Sequence, residues 1–394
     1  MALKRGRTSR RRSSRRKGPS ASPSPSEEAL SSAPFESERF VLREVQPRDL
    51  PQIHRLAGHL DSVNMPDDEA VLRSIIQTAR KSFTGKLDVF QRHYLFVLEG
   101  IRSKRLAGTS MIYSQHGQPD TPHVFFDVID DERYSVTLDR HFSHVTLRLG
   151  FNYRGPTEIG ALVLDPAFRS MGLGKALSFI RFLFVAMYRE RFQSFIIAEL
   201  MPPLESDGRS LLWEHLGRHF TGLSYQEADK LSHANKEFIY ALFPQSPLYA
   251  SLLPPEVRGL IGQVGEDTKP VRTMLESIGF EYSRRIDPFD GGPHFHARVN
   301  DILPIREARR LRLSTREVST EEEQAVLGHG GRPAGAGEMG AQRRLMATGQ
   351  PEGPTQFRAT LGAAFVEGGS LMTSKDTRRI LGLRAGDDVW CTVI

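Results

Sequence analysis

Apolar and polar residues alternate over Phe40–Val45 (FVLREV), as in a half-buried strand, and Pro47 and Asp49 follow as helix-opening residues. HYLFVLEG (His93–Gly100) and LAGTSMIYS (Leu106–Ser114) are strand-like runs joined by a short charged turn, which predicts a hairpin. Residues 115–157 form a long insertion with further strand-like pieces, among them HVTLRLGF (His144–Phe151). EIGALVLDP (Glu158–Pro166) and FIIAEL (Phe195–Leu200) read as buried strands. Between them Leu173, Ala176, Leu177, Ile180, Leu183, Phe184 and Met187 recur at helical spacing. That spacing returns over Leu211–Phe220, Tyr225–Phe238, Pro254–Ile261 and Val271–Ile278. Strands interleaved with helices predict an α+β or α/β domain over residues 38–301. Next, IREARRLRLSTREV (Ile305–Val318) is basic and helix-prone, and residues 318–354 are rich in Gly, Ala and Glu. Residues 302–355 therefore read as a basic helix and a flexible linker, and the alternating residues 356–394 as a small β module packed on the main domain.

Charge changes this picture at one end only. Nine of the 53 Lys and Arg fall within residues 1–26, which hold no Asp or Glu. The remainder carries 44 against 47, a net of −3, although the whole chain is at +6. A nucleic-acid-binding fold does not follow from the total. Residues 1–37, Arg/Ser/Pro-rich and nearly free of large apolar side chains, read as a disordered basic tail. Its 1–26 stretch is a candidate for weak contact with nucleic acid or an anionic surface. Cys391 is the single cysteine, so no internal disulfide or cysteine-based zinc cluster forms. His141, His144, His215 and His219 lack metal-site spacing, and no metal is expected. No secretory segment or spanning apolar run is visible, so the expectation is a cytoplasmic protein without membrane insertion.

The chemistry concentrates in LVLDPAFRSMGLGKAL (Leu162–Leu177). A buried strand ends at Asp165-Pro166, the loop carries Arg169, and Gly172-Leu173-Gly174 opens a helix. Glycines let the backbone approach a ligand, and a helix N-terminus favours an anion, which together make a pyrophosphate cradle. A Rossmann fingerprint needs Gly where Leu177 stands, and a P-loop needs Ser or Thr where Ala176 stands. Arg169-x-x-Gly172-x-Gly174 after a strand ending L-D-P resembles instead the acyl-CoA loop of GNAT-type N-acyltransferases. The resemblance implies a GNAT-like mixed central sheet flanked by helices, with a strand that bulges and splays. It also implies cofactor contacts from the backbone of Leu162, Val163 and Leu164, from Arg169, and from Gly172, Leu173 and Gly174.

The resemblance narrows downstream. FLFVAMYRERF (Phe182–Phe192), IIAEL (Ile196–Leu200), LLWEHLGRHF (Leu211–Phe220), FPQSPLY (Phe243–Tyr249), LIGQV (Leu260–Val264), LESIGFEY (Leu275–Tyr282) and IDPFDGGP (Ile286–Pro293) together resemble the arginine N-succinyltransferase family. This covers about residues 38–300 and, more faintly, the C-terminal module. It implies transfer of a succinyl group from succinyl-CoA to the α-amine of L-arginine in arginine catabolism. The acyl-CoA is then a co-substrate, no cofactor is permanently bound, and self-association is expected.

One departure stands out. The family's proton-donor histidine follows I-G-Q-V, where this chain has Gly265. Three accounts stay open: another group (His294, His296 or Glu266) donates the proton, the thiolate leaves unaided, or the acceptor or activity has changed. Glu158, opening the strand into the cofactor loop, is a candidate base and equally a strand-end glutamate. Glu199, inside the apolar run FIIAEL, needs a partner, either a cationic substrate or a structural arginine. Asp287 and Asp290 flank Phe289 before Gly291-Gly292, and read as substrate carboxylates or as plain turn residues. The alternatives for the whole chain are an N-acyltransferase for another acyl-CoA or amine, a catalytically impaired CoA-binding relative, and a nucleic-acid-associated protein whose function lies in its tail.

Overall fold

A computed structural model describes residues 38–58, 65, 67–117, 121–232, 235–328, 340–349 and 357–394. The tail reading for residues 1–37 lies outside the described residues.

The alternating runs become strands where they were expected: β1 (Phe40–Glu44), β2 (His93–Gly100) and β3 (Leu106–Tyr113). The insertion is one long hairpin, β4 (His123–Ser135) with β5 (Arg140–Asn152), paired from His123–Asn152 to Ser135–Arg140. β6 (Thr157–Leu164), β7 (Phe195–Glu199), β8 (Leu248–Tyr249), β9 (Glu281–Ile286) and β10 (Pro293–Arg298) follow. Among the described residues, the sheet order from its outer edge is β8-β5-β4-β9-β10-β7-β6-β3-β2-β1. Within this stretch β6–β7 is the parallel pair, as expected of two strands linked by a long helix crossover.

The C-terminal part departs from the expectation. Arg309–Leu313 is a strand, β11, not a continued helix, and the glycine-rich stretch contains the helix Thr320–Leu327 and β12 (Gln342–Gly349). β13 (Phe357–Glu367), β14 (Ser370–Thr373) and β15 (Asp388–Val393) complete a closed ring of five strands, β13-β12-β15-β11-β14 and back to β13. Closure removes exposed strand edges and encloses Leu313, Met346, Leu371, Val389 and Cys391. The ring thus begins near residue 309, well before 356, and β13 joins it to the main sheet through β1.

The helix Leu173–Met187 has eleven of its fifteen residues buried, because it is apolar on nearly every side. It packs between the sheet and the ring: Phe184 lies 5.2 Å from Phe357 of β13 and also meets Phe96 of β2 at 5.2 Å. On the other face, the helices Leu50–Ala57 and Glu69–Phe83 cover Leu95, Val97, Met111 and Val163. Both layers hold β6 rigidly, so what its free edge presents is fixed.

Candidate active site

Two irregularities make that edge available. Ala161 adopts φ 46°, and the β3–β6 register slips between Thr109–Val163 and Met111–Gly160, so β6 bulges at Ala161-Leu162. Its pairing with β7 covers Thr157–Ile196 and Glu158–Ile197, beyond which the two strands part. A wedge opens beside Leu162, Val163 and Leu164. The strand runs into the turn Pro166–Met171, capped by Asp165, whose Oδ1 accepts from Ala167 N at 3.0 Å and whose Oδ2 pairs with Arg105 at 3.0 Å. Gly172 sits at φ 65°, a left-handed conformation that glycine adopts without cost, and starts the helix Leu173–Met187. A side chain at Gly174 would meet only Leu164 Cδ2, at 3.8 Å, so its open backbone faces space. Arg169 is exposed on this turn, whereas the side chain of Leu173 is core and only its backbone is on offer.

The carboxylates and histidines gather on the other side of the same gap. Glu158, 2% exposed, carries His116 Nδ1 on its carboxylate. Glu199 ends β7, and its Oε1 lies 2.9 Å from His123 Nε2 and 3.6 Å from His294 Nε2. The three imidazoles form a file: His116 meets His123 edge-to-face at 4.3 Å, and His123 stacks on His294 at 5.3 Å. Beyond Glu199, Asp287 and Asp290 cap the β9–β10 turn, accepting from Phe289 N at 2.6 Å and Gly292 N at 2.8 Å. The turn role and closeness to Glu199 therefore coexist.

Electrostatics separates these groups. Burial disfavours charge on His116, but the Glu158 carboxylate, by charge and hydrogen bond, outweighs it and raises the pKa. Burial, aided by the neighbouring His116, pushes His123 down to about 3, and burial also lowers His294. Burial works against ionised Glu199 too, yet His294 and His123 hold it well below the usual carboxylate range. Asp287 is pushed up to about 7 by burial and then by Glu199, and Asp290 is raised by burial and Asp287. The pocket thus holds ionised carboxylate, protonatable carboxyl and neutral imidazole side by side.

Of the sequence candidates, Glu158, Glu199, Asp287, Asp290 and His294 converge here. The partners of Glu199 are two histidines, not an arginine. His296 lies one strand-alternation away, one-third exposed and 3.3 Å from Glu281, and Glu266 points into solvent against Lys269. Gly265 donates its N–H to Met201 O at 2.9 Å, and a Cβ there would lie 2.9 Å from the carbonyl oxygen of Pro202. Glycine is what this backbone packing accepts. Gly265→His is expected to destabilise the protein by about 1–3 kcal/mol through that clash, without raising turnover. Thermal unfolding beside an activity assay checks it, and a stable, faster variant refutes the packing argument. His116 and His123 carried no sequence signal, since neither sits in a motif.

A bulged strand splaying from its parallel neighbour into a glycine turn and a helix N-terminus defines a GNAT-like acyltransferase fold. A family model described as "Arginine N-succinyltransferase beta subunit" matches residues 40–304, and one for the C-terminal domain of that subunit matches residues 333–392. The chain belongs to the arginine N-succinyltransferase family. A relative from Yersinia enterocolitica, named arginine N-succinyltransferase, is 33% identical over 351 residues, 88% of this chain and 96% of its own. One from Yersinia pseudotuberculosis is 36% identical over 284 residues, 71% and 81% of the two chains. The solved arginine/ornithine succinyltransferase subunit AI of Pseudomonas aeruginosa superposes with a TM-score of 0.74 at 28% identity, covering 91% of this chain and 99% of that one. Among the described residues no helix is long and apolar enough to cross a membrane.

Proposed function

We propose that this chain transfers the succinyl group of succinyl-CoA to the α-amine of L-arginine. One observation supports the reading: the bulged β6 with its glycine turn and the cluster of Glu158, Glu199, Asp287 and Asp290 flank the place where β6 and β7 part, so a thioester held by the first would meet an amine held by the second. The pyrophosphate lies against Arg169 and the N–H groups of the Gly172–Gly174 turn. The bulge at Leu162-Val163 supplies backbone donors to the thioester oxygen, where negative charge develops during attack. Glu199, with Asp287 and Asp290, takes the cationic end of arginine.

The amine attacks the carbonyl carbon, the tetrahedral oxyanion collapses, and the C–S bond breaks to release CoA. Glu158 is too deeply buried on His116 to face the acceptor itself, so it acts by orienting His116, which receives the amine proton. The departing thiolate is stable near neutral pH and leaves unprotonated, and among His294, His296 and Glu266 only His294 stands beside it, where its neutral imidazole can donate a hydrogen bond to the sulfur. Release of free thiol from succinyl-CoA, dependent on added arginine or ornithine, tests the reading. Its absence with both amines refutes it.

Gly265 favours a second reading, in which the fold and cradle are kept and another acyl-CoA or amine is used. A panel of acyl donors and amines separates the two, and exclusive use of succinyl-CoA with arginine removes the second. Residues 1–26 are proposed to make loose, non-catalytic contact with polyanions. Deleting them is expected to abolish salt-sensitive RNA binding and leave kcat/KM unchanged, as read by filter binding and thiol release. RNA binding that survives the deletion refutes the tail's role. A second copy of the chain is a further proposed partner, which sedimentation equilibrium tests.

A further inference from the structure

We propose that His116, His123 and Glu199 bind one divalent cation of the zinc class, and that the bound ion blocks the cationic acceptor. The second half rests on the acyl-transfer reading above, and the first does not. The candidate ligand atoms of these three side chains lie within 4.8 Å of one another. They come from three places that the sheet holds still: just after β3, the start of β4 and the end of β7.

The surroundings of His116 are what a metal-bound imidazole requires. His116 has its Nδ1 committed to the buried Glu158, which leaves Nε2 as the donor. His123 turns its Nε2 to Glu199 at 2.9 Å, and the Asn152 amide nitrogen lies 3.5 Å from its Nδ1, so an ion on Nε2 needs that amide to turn its oxygen towards the ring. A carboxylate on the far nitrogen, as His116 has, fixes the ring and its tautomer and raises ligand basicity. A third imidazole stands beside the site. His294 is 1% exposed, its Nε2 has no hydrogen bond among the described residues, and it lies 3.6 Å from Glu199 Oε1.

The donor set selects the ion. Two neutral nitrogens and one carboxylate suit zinc, cobalt or nickel, and are poor partners for magnesium or calcium, which demand oxygen. Three protein ligands leave a coordination position open for water or another donor. The consequence for the acceptor follows from Glu199. That carboxylate cannot hold a metal and the positive end of an amino acid together, and a doubly charged ion repels the latter.

The test uses the full chain, free of affinity tag and treated with EDTA. Titration with ZnCl2 by calorimetry is expected to give one equivalent bound, with MgCl2 failing to compete. CoCl2 should produce visible absorption bands of a low-coordinate nitrogen site in the unmodified protein, a readout independent of any variant's folding. His123→Asn and Glu199→Gln should lower zinc affinity at least 100-fold, and Glu158→Gln, which loosens only the support of His116, by 10- to 100-fold. No zinc binding, or binding untouched by His123→Asn and Glu199→Gln, overturns the site. In the thiol-release assay, zinc should raise the apparent KM for arginine with kcat and the KM for succinyl-CoA unchanged, and EDTA should reverse it. Stoichiometric zinc binding without that rise overturns the inhibitory half alone. Absence of any transferase activity strikes the functional reading and that half, and leaves the metal site standing on the calorimetry.

Discussion

Gly174→Val is expected to weaken acyl-CoA binding by about 100-fold while the protein keeps its fold. The first half follows from what the turn offers. Each charge-assisted hydrogen bond from a backbone N–H to a phosphate oxygen contributes about 1.5–3 kcal/mol, and a branched side chain over the cradle removes at least one and displaces the ligand. A loss near 3 kcal/mol is about two orders of magnitude in Kd. The second half follows from the space around the residue, where an added Cβ meets nothing closer than Leu164 Cδ2 at 3.8 Å. Gly172→Val is the less clean experiment, since its φ of 65° makes a β-branched residue strained at about 1–3 kcal/mol before any ligand is considered. Calorimetry with CoA and a melting curve on Gly174→Val decide the matter. Undiminished CoA affinity in a folded Gly174→Val protein means that the loop serves packing and not the cofactor.

That loop was legible because its chemistry is local. A strand, an Asp-Pro stop, an arginine and two glycines lie within sixteen residues, and their roles are set by conformations each residue dictates for itself. The carboxylates were legible for a different reason. Glu199 stood out because charge in an apolar run has to be explained, and the explanation proved to be two histidines. His116 and His123 could not be found this way. They lie in an insertion without periodicity, and reach the site only because β3 pairs with β6 at Tyr113–Glu158 and β4 joins the sheet through β9. Nothing within ten residues of either encodes that arrangement. Arg309–Leu313 shows the converse error: a helix-prone basic run is held as strand by β15 on one side and β14 on the other. Pairing outweighs a propensity difference of a few tenths of a kcal/mol per residue. Glu266 was attractive only for adjacency to a motif, and its side chain turned to solvent.

Glu199→Gln is the substitution expected to change activity most. Glutamine matches glutamate in shape and can still accept a hydrogen bond from His123, so the β7–β10 pairing that places residue 199 opposite His294 should persist. What disappears is the negative charge that His294 and His123 now hold ionised well below the usual carboxylate range. Losing a carboxylate from a partly enclosed pair with a guanidinium or ammonium costs about 2–4 kcal/mol. The KM for arginine should therefore rise roughly 30- to 1000-fold, with the KM for succinyl-CoA within twofold of its original value, because the cradle lies on β6 and not on β7. Turnover at saturating arginine should fall less, since the base path through Glu158 and His116 is intact. An unchanged arginine KM means that Glu199 merely anchors imidazoles, and the cationic acceptor must be sought elsewhere. Equal damage to both KM values means that the substitution has disturbed the gap itself. A selective rise in the acceptor KM, with zinc affinity lost in the same variant, makes Glu199 the one group for which substrate and metal compete.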